Sequence, residues 1–230
     1  RRLPVSGHSE RSVLPMQNKE KNKSTILRDA LALFLITLVS GLALSYVYEV
    51  TKTPIEQQAI IKQEKANKAV FAEAASFETD EELTAKAAAT DLASLNSDYT
   101  GIAIGQISKA FDASGNIIGY DITVTTKQSY KDLIELVFGY SLDGSIKGIE
   151  IMTISETAGL GMNATKPEFL NQFINKKVDK FVVTKTGASK EDEIDALSGA
   201  TITSKAVTNA INAGIAFIKD ASSVLKGGAQ

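Results

Sequence analysis

Residues 100–126, TGIAIGQISKAFDASGNIIGYDITVTT, decide the fold class. Thr100 to Phe111 and Asn116 to Thr126 are runs rich in β-branched residues, joined by Asp112-Ala113-Ser114-Gly115-Asn116, a turn signal. A second pair follows at once: Leu133 to Ser141 and Ile146 to Ser155, around Leu142-Asp143-Gly144-Ser145. In its second strand Ile149, Ile151 and Thr153 share one face, and Glu150, Met152 and Ile154 the other. Helical patterns lie outside this block. Glu81 to Leu95 is Ala-rich, and Pro167 to Ile174 reads as a short helix with Pro in its first turn. Lys180 to Lys185 is a further strand. Ser204 to Lys219 is the strongest soluble helix, with Val207, Ile211, Ile215 and Ile218 on one stripe. Antiparallel strands with segregated helices predict an α+β domain.

Towards the N-terminus, Ala30 to Tyr48 (ALALFLITLVSGLALSYVY) runs nineteen residues without a charge. At 1.5 Å per residue it spans roughly 28 Å, close to a bilayer core. It ends in Tyr46-Val47-Tyr48, bulky interfacial residues rather than the small ones of a cleavage site. The reading is therefore a retained transmembrane helix in contact with lipid. Lys19, Lys21, Lys23 and Arg28 precede it, and Lys52 and Lys62 follow. That bias predicts a cytoplasmic N-terminus, with the rest of the chain on the outer, extracytoplasmic face of the cell membrane. Thr37 and Ser40 are expected to bond their own helix, and the span holds no carboxylate, so it offers no ion path. Pro54 should kink or restart the helix, which continues as a stalk to about Ala75. Residues 1–15 lack periodicity and precede Met16, and are read as a non-native leader. The expected organisation is leader 1–15, cytoplasmic tail 16–29, transmembrane helix 30–48, stalk 49–75, outer domain 76–222 and C-terminal tail 223–230.

Composition excludes much chemistry. With no Cys there is no disulfide, thiolate metal site, Cys nucleophile or Cys-ligated iron–sulfur cluster. The one histidine, His8, lies in the leader, which argues against His-based catalysis, haem and a His metal site. A net charge of −2 with no clustered basic surface gives no nucleic-acid footprint. Reactivity must come from hydroxyls, carboxylates, Lys, backbone or a bound cofactor.

Two segments invite a ligand. Gly159-Leu160-Gly161-Met162-Asn163-Ala164 fits GxGxxA, with Asp179 twenty residues past Gly159. Yet Pro167 interrupts the expected helix and no βαβ repeat surrounds it, so a dinucleotide fold is disfavoured. Asp195-Ala196-Leu197-Ser198-Gly199-Ala200-Thr201-Ile202-Thr203-Ser204 runs straight into the strong helix. Its hydroxyls suit helix capping. The same free amides and helix dipole suit an anion such as phosphate. Spacing alone leaves both open.

Ser198-Gly199-Ala200-Thr201-Ile202-Thr203 resembles the motif of proteins that carry FMN covalently on a threonine. Glu156-Thr157-Ala158-Gly159-Leu160-Gly161 resembles the E-T-P-G-L-G loop that packs against the flavin in the same family, with Ala158 in place of Pro. Gly139-Tyr140, Asp143-Gly144 and Ile146-Lys147-Gly148-Ile149 follow the family's hairpin order. With the anchor, the resemblance covers about residues 16–222. The chain is similar to the G subunit of Rnf-type ion-translocating ferredoxin–NAD oxidoreductase complexes, a family related to the C subunit of the sodium-pumping NADH–quinone reductase. That resemblance implies an FMN-binding domain with FMN phosphoester-linked to Thr201, installed by a separate flavin transferase. It implies that Ser198, Gly199, Ala200 and Thr203 shape the phosphate side. Thr157, Gly159, Leu160 and Gly161 would line the ring, and Glu156 would bond either a flavin edge or the loop itself. Asp195 and Thr203 belong to the acceptor pattern. The chain would be an electron-transfer subunit of a translocase, relaying electrons among membrane and peripheral subunits without being catalytic alone. Ion transport, of Na⁺ or H⁺, would reside in those other subunits. The alternatives are the sodium-pump C subunit, a non-redox tethered binding domain, and a free-standing flavin reductase. For the last, no acid–base residue is nominated.

Overall fold

A computed structural model describes residues 23–227. The expectations for the leader 1–15, for most of the tail 16–29 and for the last three residues lie outside that range. The chain divides into two compact units, with the boundary between Glu56 and Gln57.

The described residues of the first unit, 23–56, are helical, and the same helix runs on into the second. Helix α1 spans Lys23–Val70 and continues through Pro54. Among the described residues it is the one helix long and apolar enough to cross a membrane. Its large apolar side chains from Leu27 to Val50 are exposed, as a lipid-facing surface requires. Thr37 Oγ1 donates to Phe34 O at 2.9 Å, so this hydroxyl is satisfied within its own helix.

The second unit is built on an antiparallel meander. Strands β1 (Ser76–Thr79), β2 (Ile102–Phe111), β3 (Ile117–Thr126), β4 (Ile134–Ser141) and β5 (Ile146–Thr153) form one sheet in that order. The hairpin turns follow from local chemistry. Asp112 Oδ1 accepts the amides of Ser114 and Asn116, and Gly115 takes φ +82°. Asp143 Oδ1 accepts Ser145 N–H and Gly144 takes φ +90°. Helices α2 (Glu81–Ala89) and α3 (Leu92–Leu95) divide the segment expected as one helix. At the break Thr90 Oγ1 bonds back to Lys86 O, and Asp91 caps the next turn through Ala93 N–H.

Beyond β5, a 3₁₀ turn (Gly161–Thr165) leads into the single turn α4 (Pro167–Leu170). Strands β6 (Val182–Thr184) and β7 (Glu193–Asp195) pair in parallel as a separate two-stranded sheet. Helix α5 (Thr201–Gly227) closes the domain. Its stripe Val207, Ile211, Ile215 and Ile218 is buried against Ile122, Leu136 and Phe138 of the sheet. Gly214 permits close approach: a Cβ there would stand 2.6 Å from the Phe138 ring. Asn212 bonds both the N–H and the C=O of Phe181, at 2.8 and 2.9 Å, tying the approach to β6 onto α5.

The opposite sheet face is covered by the end of α1. Ala66, Val70, Val137 and Met152 form a second small core. Gly119, Gly139 and Gly148, on three adjacent strands, make room for Val70 and Phe71. The stalk expected to reach Ala75 therefore ends at Val70 and is docked on the sheet over its last turns. Phe71, also buried, follows it, and the chain turns towards β1.

Candidate functional site

Three segments converge at one end of the sheet. The β3–β4 connection (residues 127–133) and the loop after β5 leave the same edge, because β3 ends and β4 begins where β5 ends. The turn from β7 into α5 joins them. Together they line a cavity of about 500 Å³. Of the residues named from sequence, Glu156, Thr157, Leu160, Gly161, Gly199, Ala200, Thr201 and Thr203 line it. Ser198 instead lines an adjoining depression of about 350 Å³ with Asn163, Asp195 and Leu197. Gly159 lines neither; its φ of +77° sets the turn that presents Leu160.

The two loops touch at Gly161. A Cβ there would lie 2.7 Å from Thr203 Oγ1 and 2.8 Å from Glu156 Cβ, so only glycine fits between the motifs. Gly199 adopts φ +71°, which favours glycine, and a Cβ on it would meet Leu160 Cδ2 at 3.0 Å.

Ser204, in the first turns of α5, ties the helix to the loop before it and leaves the first-turn amides uncapped. Its Oγ accepts Leu197 N–H at 2.9 Å and donates to Ala200 O at 3.0 Å. Among the described residues, the hydroxyls of Ser198, Thr201 and Thr203 make no hydrogen bond. The amides of Thr201, Ile202 and Thr203 likewise find no backbone acceptor there, as is usual in a first helical turn. The N-terminus of a 27-residue helix thus opens on the cavity with free amides, hydroxyls and small residues. That donor set and the positive end of the helix dipole match a phosphate.

Glu156 is buried and uses Oε1 to accept Tyr130 N–H at 2.7 Å. Its carboxylate therefore braces the β3–β4 loop, a partner that neither reading from sequence, a flavin edge or its own loop, names. Asp195, the last residue of β7, is pinned through its backbone: its N–H donates to Gln172 Oε1 at 2.6 Å. The antiparallel meander rules out the dinucleotide reading of Gly159 to Ala164, whose last four residues lie in a 3₁₀ turn.

Sequence reasoning misses two wall residues, Tyr130 and Ile202. Both are more than half exposed, and Leu160 beside them is 42% exposed. Exposed apolar side chains around a cavity suit a planar apolar partner. Ile202 sits inside the motif and is legible as its variable position. Tyr130 carries no local signal, since its link to the site is a carboxylate 26 residues away.

The family model described as FMN-binding domain matches residues 129–216, and the RnfG N-terminal region model matches residues 16–70. The G subunit of the ion-translocating oxidoreductase complex of Methanosarcina acetivorans is 31% identical, over 84% of this chain and 94% of that protein. The G subunit of the Na(+)-translocating ferredoxin:NAD(+) oxidoreductase complex of Acetobacterium woodii is 31% identical, over 87% and 96%. The G subunit of the proton-translocating ferredoxin:NAD(+) oxidoreductase complex of Clostridium ljungdahlii is 28% identical, over 84% and 91%.

Proposed function

Because the chain belongs to the family of G subunits of ion-translocating oxidoreductase complexes, we propose that it is their membrane-anchored electron relay, carrying FMN on Thr201. The related sodium-pump C subunit is the weaker assignment, since the matched relatives are named as G subunits. The observation that carries the reading is the meeting of two motifs at Gly161 over a cavity into which α5 opens with unbonded hydroxyls.

The residues divide the work as follows. Thr201 Oγ1 is the attachment atom. A flavin transferase using FAD and Mg²⁺ would join the FMN phosphate to this oxygen, with AMP and the hydroxyl proton as the groups released. Thr203 and the amides that follow Gly199 hold the phosphate, and Ser198 flanks it from the adjoining depression. Gly199 and Ala200 keep that approach clear of side chains. Thr157, Leu160 and Gly161 form the wall for the ring, and Glu156 fixes the neighbouring loop. When bound, the flavin supplies one- and two-electron chemistry, which suits a bridge between unlike carriers. The protein's own side chains need no redox activity, in keeping with a chain that lacks Cys and Trp. A covalent link keeps the cofactor from being lost on the outer side of the membrane.

We place the N-terminus in the cytoplasm and the flavin domain outside, on the Lys and Arg bias around residues 30–48. The donor and acceptor are other members of the complex, which also carry the ion path. The test is a denaturing gel of chain produced together with its transferase. Wild type gives a yellow-green fluorescent band and Thr201→Ala gives none. A dark wild-type band with active transferase present refutes the covalent assignment.

A further inference from the structure

We infer that Asp121 is a protonation-controlled latch holding the last turns of α1, Gln63 to Val70, on the sheet. The inference is independent of the flavin. Asp121 lies in mid-β3 and is 2% exposed, and neither carboxyl oxygen has a hydrogen-bond partner among the described residues. It shares its sheet face with Gly119 and Thr123, two residues either side. Its register partners are Ser108 on β2 and Gly139 on β4.

Helix α1 covers this row. Gln63 Nε2 donates to Thr123 Oγ1 at 3.3 Å, and the Phe71 ring stands 2.7 Å from where a Cβ would be on Gly119 or Gly139. Residues 63, 67 and 71 are successive positions on one helical face. Asn67, 4% exposed, therefore lies over Asp121, midway between those two contacts. Its Oδ1 is taken by Gln63 Nε2 at 2.8 Å.

Among the described residues no charge compensates the carboxyl. On β2, Ser108 accepts from Gln106, while Lys109 is paired with Asp80. On β4, Glu135 sits four residues along the same face and accepts from Thr153 Oγ1. On β5, the Asp121 row continues as Gly148, and Glu150 is exposed. On α1, Lys62 donates to Met152 O, and Glu64, Lys65 and Lys68 are the further charged groups of these turns. Burial alone thus pushes Asp121 from the ordinary 3.8 up to about 8. A buried lone carboxylate is strongly disfavoured, so the docked state keeps the proton.

Lifting the helix end admits water and returns the carboxyl to its ordinary range. The docked form then holds one more proton than the open form at every pH between about 4 and 8. Docking is accordingly firm at low pH and weakens as pH rises through that window. It levels off above it, where both forms are ionised. The opening constant rises about tenfold per pH unit, by up to roughly 10⁴ across the window. The latched helix is the one that carries the apolar segment. Release exchanges a helical rise of about 1.5 Å per residue for a tether of up to about 3.4 Å per residue.

The test is amide hydrogen exchange of full-length protein in detergent from pH 5 to 8.5, wild type against Asp121→Asn. After correction for intrinsic exchange, wild-type amides at residues 63–71 should lose protection about tenfold per pH unit up to pH 8. Asp121→Asn should show no such slope, and α5 amides should be pH-independent in both. A flat wild-type profile overturns the latch. So does an Asp121→Asn profile that keeps the wild-type slope, or an equal loss in α5, which would mean global rather than local opening. If the variant does not fold, the wild-type comparison of residues 63–71 with α5 decides alone.

Discussion

Replacing Gly161 with alanine tests whether the two motifs form one site. The added methyl would meet Thr203 Oγ1 at 2.7 Å, Glu156 Cβ at 2.8 Å and Glu156 Cγ at 3.0 Å. Ordinary contact begins near 3.4 Å, so the gap must open by about 0.7 Å on the Thr203 side and about 0.6 Å on the Glu156 side. Both neighbours are buried: Thr203 is 1% exposed and Glu156 is held by Tyr130 N–H. Overpacking of this kind costs about 1–3 kcal/mol. For a domain of this size that lowers Tm by roughly 2–12 °C. Opening the gap also shifts the start of α5 relative to the ring wall, so flavin occupancy should fall with Tm. The assay is thermal unfolding of the full chain in detergent, with flavin counted per polypeptide. Thr203→Ala removes one of the two clashing groups. The double variant should recover part of the loss, with a coupling of about 0.5–3 kcal/mol. An unchanged Tm and full flavin in Gly161→Ala, with no coupling to Thr203→Ala, would refute the packing argument.

Glu156→Ala removes the acceptor of Tyr130 N–H and should cost about 1.5–3 kcal/mol in thermal or denaturant unfolding, whereas Glu156→Gln keeps an acceptor and most of the stability. Gly148→Ala would set a methyl 2.6 Å from Val70 Cα, a backbone atom that cannot give way. It should reach or exceed the top of about 1–3 kcal/mol, while Gly105→Ala, with its nearest contact at 3.7 Å, should change Tm far less. Asp80 caps α2 through Leu83 N–H at 2.9 Å and pairs with Lys109 at 2.8 Å. Burial pushes its carboxyl up, but those bonds outweigh it and hold the group below the ordinary 3.8. Asp80→Ala should cost about 0.5–2 kcal/mol at pH 7. Because a depressed carboxyl stabilises only while ionised, that deficit should shrink as unfolding is measured below pH 4.

What is legible in the sequence is what local chemistry determines. The hairpin turns at Asp112 to Asn116 and Leu142 to Ser145 carry their own Asp acceptors and positive-φ glycines, so both pairs of strands can be read. The α5 stripe is periodic and fully buried. What is not legible depends on distant partners. Strand β1 is four residues long and exists through pairing with β2, with Ser76 opposite Phe111. The three-residue β6 and β7 depend on each other in parallel. Gly119, Gly139 and Gly148 become a seat for Val70 and Phe71 only once three strands are in register. The docked end of α1, and the isolation of Asp121 beneath it, follow from that seat. At the site, the motifs mark the loops, but that Ser204 rather than Ser198 or Thr201 braces the turn into α5 requires geometry.

The central claim rests on one atom, Thr201 Oγ1. Its most direct test is mass spectrometry of the proteolytic peptide containing Thr201, from chain matured with its flavin transferase. The account predicts a peptide heavier than its sequence by FMN less one water, with fragmentation placing the added mass on Thr201. An unmodified peptide from flavin-loaded protein, or the same mass on Ser198 or Thr203, would contradict it.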